Sequence, residues 1–397
     1  MIKLIFTRIA LIFLGLILAL LVGEFFVRYL QYLRKPPSKV RQADTLVHHS
    51  FRPNSNDTAR DLEWVAHYKI NSLGMRDYEY SAQKPEKTFR VLVLGDSFTE
   101  GQGVETEATF PKLLESSLNE KITKEKSSIV SFEKVEVLNS GTLSYSPLLE
   151  YLYLKNKGLD LSPDLVILNF DMSDPIDDMK YEAEALKNEK GIPVGFPKKE
   201  TGENFVEANP LLPGVPKEIK AFFHKNSQIY RVIADSIRRK HLKIYPEFDE
   251  PEIKVGDLGV DKLIITRDEV PNYDAIWALT KRNLKLIKDI LKEKNIGFLL
   301  VATPYAHQVN GTEWSIGRKY WKFEDRVYSD RPFKTLETFS RNEGISFLNL
   351  LENFKEAKEK PLFFKKDGHF TKNGHKIVAA ALAEYLIEKD KFKLKQD

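Results

Sequence analysis

Residues 90–103 read Arg90-Val91-Leu92-Val93-Leu94-Gly95-Asp96-Ser97-Phe98-Thr99-Glu100-Gly101-Gln102-Gly103. Four consecutive apolar residues ending on a glycine predict a short strand buried on both faces. Strands of this kind belong to parallel sheets, and ligands bind beyond their carboxyl ends. The Gly-Asp-Ser turn therefore stands where chemistry is expected.

Working outward, Val135–Leu138, Leu165–Phe170, Gly297–Val301 and Ile345–Leu348 read as further strands. Helical spacing separates these runs. Phe110, Leu113, Leu114 and Leu118 follow Pro111, a residue suited to a first turn. Leu148–Lys155 can form a second helix. Ile276, Leu279, Leu284, Ile287 and Leu291 lie on one helix face, as do Ile377, Val378, Ala381, Leu382, Tyr385 and Leu386. Strands alternating with helices predict an α/β fold with a five-stranded parallel sheet covered on both faces.

The 397-residue chain is 42% hydrophobic, enough for a core, and its lack of cysteine excludes disulfides and thiolate chemistry. Ile9–Gly23 carries no charge, and Phe25, Phe26 and Val27 extend it past Glu24, close to the ~20 residues a membrane-crossing helix needs. Lys3 and Arg8 precede it, and no small-x-small cleavage site follows, so an uncleaved signal anchor is expected. Glu24 and Arg28 can pair on one helix face. Arg28, Arg34, Lys35, Lys39 and Arg41 flank the far side, which by the positive-inside rule would keep the large domain in the cytoplasm. Residues 1–41 hold seven basic side chains and one acidic, a net +6, leaving −2 for residues 42–397. The basic excess thus suits anionic lipid headgroups, and no nucleic-acid partner is expected.

The expected organisation is an anchor at 1–35, a polar linker and lead-in at 36–88, and a domain at 89–390 interrupted at about 178–272. That insertion carries Pro193, Pro197, Pro210, Pro213 and Pro216, then a helical stretch around Ile229–Lys240. Phe196, Phe205, Phe222, Phe223 and Tyr230 could line a cleft there, although a small core of the insertion's own is the expected role for most of them.

Four segments converge on the strand ends: Gly95–Gly103, Asn139-Ser140-Gly141, Asp171-Met172-Ser173-Asp174 and Asp367-Gly368-His369. Ser97 can attack an ester carbonyl if His369 takes its proton, and Asp367 can fix the imidazole tautomer. In an extended stretch, residues two apart face the same side. Backbone N–H groups of Ser97 and Gly141 could meet the developing oxyanion. Other readings compete. Gly-Asp-Ser can be a plain turn, Thr371 can cap the last helix, and His375 fits that helix's first turn. The Gly-Lys-Ser/Thr ending of a phosphate loop is missing. His369 and His375 make a poor metal pair, so neither metal nor cofactor is expected.

Taken together, these segments resemble the SGNH (GDSL-type) hydrolase family over roughly Arg90 to Tyr385, insertion aside. The resemblance implies a three-layer α/β/α sandwich of flavodoxin-like type. It implies Ser97 as nucleophile, Asp367 and His369 as its partners, and Gly141 in the oxyanion hole. The third block runs from Pro163-Asp164-Leu165-Val166-Ile167 to Asp174, and Ser173 stands where the family usually has an asparagine donor. Lys366 stands where the family commonly has its aspartate, and Asp367 lies one residue closer to His369. The Gly-x-Ser-x-Gly elbow is unmatched, since Thr99 replaces its second glycine. Ile70-Asn71-Ser72-Leu73-Gly74-Met75-Arg76-Asp77 resembles the lead-in of bacterial membrane-tethered members, which implies that Arg76 touches the site.

The functions implied are a membrane-anchored serine esterase removing O-acyl groups from an envelope glycan or lipid, an O-acyltransferase acting on a surface polysaccharide, or a non-catalytic membrane-anchored binding or assembly protein. Exported family members imply a single-pass protein of the cytoplasmic membrane with its domain facing the periplasm or exterior, against the basic flank. The sequence says nothing of oligomeric state.

Overall fold

The computed structural model describes residues 2–33, 36–125, 132–198, 215–230, 232–233, 264–267, 270, 272–320 and 328–388. These divide into two compact units, one within 1–35 and 198–246, the other within 36–197 and 247–397.

The first unit contains helix α1, Ile2–Leu33. Its stretch Leu4–Leu30 is long and apolar enough to cross a membrane, and none of its apolar window is buried within the protein. Glu24 pairs with Arg28 at 2.8 Å, as the four-residue spacing allows. The Glu24 carboxylate also accepts the Ser227 hydroxyl at 3.0 Å and the N–H groups of Gln228 and Ile229 at 2.8 and 3.1 Å. It caps the helical residues 228–230 as an anion at a helix start should.

In the second unit, residues 36–88 are a folded element as well as a connection. Strands β1 (Arg41–Asp44) and β2 (His48–Phe51) form one antiparallel pair, and β3 (Asn56–Arg60) and β4 (Val65–Lys69) another. Val40, Phe51, Ala59, Ala66, Tyr68 and Ile70 make a small core of their own.

The sheet follows. Strand β5 is Thr88–Gly95, then come α2 (Ser97–Glu100), α3 (Phe110–Glu125), β6 (Lys134–Asn139), α4 (Pro147–Tyr153), β7 (Leu165–Phe170) and α5 (Asp174–Glu184). A short hairpin of β8 (Leu186–Lys187) and β9 (Pro193–Gly195) comes next. Helix α6, Lys217–Asn226, belongs to the first unit. The second unit resumes with α7 (Tyr273–Glu293), β10 (Gly297–Ala302), α8 (Arg331–Glu343), β11 (Ser346–Asn349) and α9 (Lys372–Glu388).

The five long-range strands order as β11-β10-β7-β5-β6, with every neighbour parallel. Alternation along each strand divides the core in two. Leu92, Leu94, Leu138, Val166, Leu168 and Leu300 face α4, α5, α7 and α8. Val91, Val93, Val135, Val137, Ile167 and Val301 face α3 and α9. Each such fully buried side chain contributes about 1.5–3 kcal/mol of transfer free energy, so a one-residue slip in register would be costly. This is the expected three-layer α/β/α sandwich. The chain leaves β5 towards β6 on one side and returns to β7 on the other, so the order reverses at β5, the place where open α/β sheets bind ligands.

Two expectations differ from the structure. Helix α5 runs unbroken to Glu184, so residues from 178 onward continue the core: Asp178 accepts the Leu148 N–H at 2.8 Å and the Thr280 hydroxyl at 2.8 Å. Phe196 is likewise in the main core, beside Tyr181. Phe222 and Phe223 lie in the first unit and are exposed, with Phe223 against Tyr230. Phe205 and most of the helical stretch expected at 229–240 lie outside the described residues.

Candidate active site

Strand β5 ends at Gly95, and Asp96 begins α2 by accepting the Phe98 N–H on Oδ1 at 2.8 Å. Ser97 is thereby the first residue of a helix at the sheet's switch point. The turn is tight. A Cβ on Gly141 would lie 2.3 Å from Glu100 N, and one on Gly95 would lie 2.1 Å from Thr99 Oγ1. Only glycine permits that approach.

Ser97 Oγ lies 2.8 Å from His369 Nε2, and His369 Nδ1 lies 2.9 Å from Asp367 Oδ1. The residues so joined are 272 positions apart in sequence. With Nδ1 protonated towards Asp367, Nε2 is left as an acceptor for the serine hydroxyl. Asp367 and His369 do not reach one another from an extended strand. Gly368 between them has φ +87°, and the loop 364–369 closes with Phe364 N–H on His369 O at 2.9 Å. A left-handed glycine joint turns both side chains inward.

Burial disfavours the imidazolium, but the Asp367 carboxylate and its hydrogen bond outweigh this and hold His369 above the ordinary imidazole range. Burial pushes Asp367 up, while His369, with hydrogen bonds from it, Trp64 and Gln102, brings the carboxyl below its ordinary value. Asp96 moves the other way: burial and the neighbouring Asp171, with which it hydrogen-bonds, raise its carboxyl well above the usual range. The Ser97 hydroxyl also lies within donating distance of Asp96 Oδ2, at 3.1 Å, so its hydrogen has two acceptors within reach, that oxygen and His369 Nε2.

The other expected residues are placed as follows. The first N–H of α2 is that of Ser97, a group a helix leaves without an intrahelical partner. Gly141 N–H lies 3.0 Å from Asn139 Oδ1. Ser173 donates its hydroxyl to Asp171 Oδ1 at 2.7 Å and its N–H to the same oxygen at 2.5 Å, so its single hydroxyl hydrogen is directed to Asp171. Tyr305 also donates to that oxygen, at 3.1 Å. His375 sits in α9 and accepts the Phe110 N–H at 3.2 Å, with burial holding it neutral. Thr371 caps the same helix through Asn373 N–H at 3.2 Å.

Arg76 does not approach the triad atoms. Its buried guanidinium donates to the carbonyls of Glu100, Gly101 and Val104 in the turn after Ser97, and to His67 O of β4, at 2.5–3.1 Å, tying the turn to that strand. Glu100 is itself held by Arg41, at 2.6 Å, and accepts the Leu143 N–H at 2.7 Å. Sequence reading missed four residues at the site: Glu63, Trp64, Gln102 and Tyr305. Gln102 lay inside the opening stretch, with its Nε2 3.4 Å from Asp367 Oδ1. The others carry no pattern that spacing could reveal. Among the described residues, no group of three His, Asp or Glu side chains could hold a metal.

Residues 265–397, which include Asp367 and His369, match the family model described as SGNH hydrolase-like domain, acetyltransferase AlgX. The SGNH resemblance is borne out. Solved structures similar to this chain include a lipase/acylhydrolase from Enterococcus faecalis, at 15% identity over 78% of this chain and 100% of that one, TM-score 0.37. An acetyl xylan esterase, AlAXEase, matches at 13% identity over 75% of this chain and 100% of that one, TM-score 0.34. A GDSL-like lipase from Bacteroides thetaiotaomicron matches at 14% over 78% and 93%, TM-score 0.33. No curated protein matches the chain.

Proposed function

We propose that the protein is a membrane-anchored serine acyl-ester enzyme that acts through an acyl-serine at Ser97. The observation that carries this reading is the line Ser97 Oγ, His369 Nε2, His369 Nδ1, Asp367 Oδ1, with both contacts below 3.0 Å. Ser97 Oγ attacks the ester carbonyl carbon while His369 Nε2 takes its proton. The tetrahedral intermediate expels the alcohol, which receives that proton, and leaves the acyl group on Ser97. Ser97 N–H is the first donor to the oxyanion. Gly141 N–H and the Ser173 hydroxyl join it only by sharing or leaving their present acceptors, Asn139 and Asp171, in the substrate complex. Asp367 stays ionised and stabilises the imidazolium.

Water as the second nucleophile makes an esterase that releases O-acyl groups, for example acetyl, from a glycan or lipid. A sugar hydroxyl makes an O-acyltransferase, and the acetyltransferase description of the family model favours this second reading. The full-length chain in detergent should cleave p-nitrophenyl acetate, and Ser97→Ala should abolish cleavage and fluorophosphonate labelling. Undiminished turnover in that variant would remove Ser97 from its role. Supplying acyl donor with oligosaccharide and weighing the products separates the two outcomes, since free acid alone means hydrolysis. We place the domain on the outer side of the cytoplasmic membrane, the pool in which acylated envelope glycans occur. Protease protection of the domain in intact spheroplasts would overturn that placement.

A further inference from the structure

Asp367 has two carboxylate oxygens, and the proposed reaction engages one. Oδ1 faces His369. Oδ2 receives the indole N–H of Trp64 at 2.6 Å, across 303 positions of sequence. Trp64 stands at the tip of the β3–β4 hairpin, whose turn is closed by Asp61 N–H on Trp64 O at 3.0 Å. Beside it, Glu63 Oε2 accepts the backbone N–H groups of Lys366 and Asp367 at 2.8 and 2.9 Å. The hairpin tip therefore holds both the backbone and the side chain of Asp367. Gly103, with φ +89°, leaves the space this needs: a Cβ there would lie 2.5 Å from Phe364 Cε2 and 3.2 Å from Trp64 Cδ1.

Such a hold has a physical purpose. Asp367 and His369 are joined by a left-handed glycine, and a glycine joint by itself leaves the carboxylate free to swing. A base works only when its partner keeps it in one tautomer and one orientation. Gln102 contacts Asp367 only at 3.4–3.5 Å, too long for a firm bond. Trp64 supplies the short, rigid donor, on a ring with only two side-chain torsions.

We propose that Trp64 is a positioning residue: its N–H fixes the Asp367 carboxylate that orients His369, making the hairpin before the sheet a part of the active site. This inference rests on the Ser97–His369–Asp367 reading above. The test is a double-mutant cycle on the full-length chain in detergent, following p-nitrophenyl acetate hydrolysis by the native protein, Trp64→Phe, Asp367→Asn, the pair together, and Ser97→Ala. Trp64→Phe should lower kcat roughly tenfold with KM within about twofold, as expected for one hydrogen bond to a charged group. In the Asp367→Asn background the same change should cost less than about twofold, because the group it acts through is gone. Equal losses in both backgrounds mean that Trp64 serves only the fold, and overturn the proposal, as does an unchanged kcat in the native background. Should Trp64→Phe fail to fold, benzothienylalanine at position 64 removes only the N–H from the same ring shape and enters the cycle instead. Turnover that survives Ser97→Ala defeats the underlying serine reading, a result distinct from additive losses with Ser97 essential.

Discussion

The two halves of the candidate site are built in opposite ways. The Ser97 turn takes its shape first from its own neighbourhood in sequence, with Arg76 and Asn139 bracing its backbone. Asp96 caps Ser97's helix, Gly95 and Thr99 close the turn, and Asn139 donates to Thr99 O at 2.9 Å from the adjacent strand. His369 and Asp367 are held from far away in the chain, by Glu63 and Trp64, and by Trp314, whose indole N–H donates to Lys366 O at 2.9 Å. A nucleophile must sit at one backbone position, which a tight turn can dictate. A base must keep a ring plane and a tautomer, which takes side chains arriving from several directions.

Substitutions can break or sharpen this contrast. The largest effect is expected from Ser97→Ala, a fall in ester turnover of roughly 10⁶-fold with folding intact, read by initial rates and circular dichroism. Asp367→Asn should cost about 10⁴-fold by favouring the wrong tautomer of His369, again without unfolding. On the nucleophile side the packing itself is the mechanism, so Gly141→Ala should differ in kind. Its new methyl meets backbone atoms at 2.3 and 2.6 Å, and a urea titration should show a loss of about 3 kcal/mol alongside lost activity. On the base side, Trp64→Phe should give the roughly tenfold kcat loss described above, tied to Asp367. If Gly141→Ala proved as stable as the native chain while Trp64→Phe unfolded it, the contrast would be reversed.

The smallest effect is on pH-dependent stability. Burial, then the Arg76 and His369 charges, hold His375 down to about 3 from an ordinary 6.5. Between those values the unfolded chain binds a proton that the folded chain refuses. Stability therefore falls as pH drops below about 6.5, by up to about 1.4 kcal/mol per pH unit for this histidine. His375→Gln keeps an acceptor for Phe110 N–H and should flatten the slope measured by urea unfolding between pH 5 and 7. An unchanged slope would mean that other groups carry it.

Legibility followed the same division. The five sheet strands were readable because each is a short segment rich in apolar residues between helical patterns, and the central β5 and β7 are buried along their whole length. That Ser97, Asp367 and His369 meet was readable because strand ends of a parallel sheet converge. Strands β1 to β4 were not, since they are four or five residues long, and β1 is Arg-Gln-Ala-Asp, with no apolar period to detect. Arg76 was singled out by resemblance, but its hold on three turn carbonyls and on His67 O of β4 is a property of the folded chain alone. The boundary near residue 178 is not legible, because an aspartate in sequence gives no sign that Asp178 is buried and bonded across the α4–α5–α7 layer.

By itself the sequence determined the apolar N-terminal helix, the parallel sheet, and the choice of Ser97, His369 and Asp367 as the candidate site. These depend on hydrophobic period and on turn chemistry, both written in consecutive residues. Only the tertiary structure decided that a polar lead-in becomes two hairpins, that one of them reaches Asp367 with an indole N–H, and that Ser173 gives its hydrogen to Asp171. Those outcomes depend on which distant side chains satisfy a buried polar atom, and local sequence places no constraint on that choice.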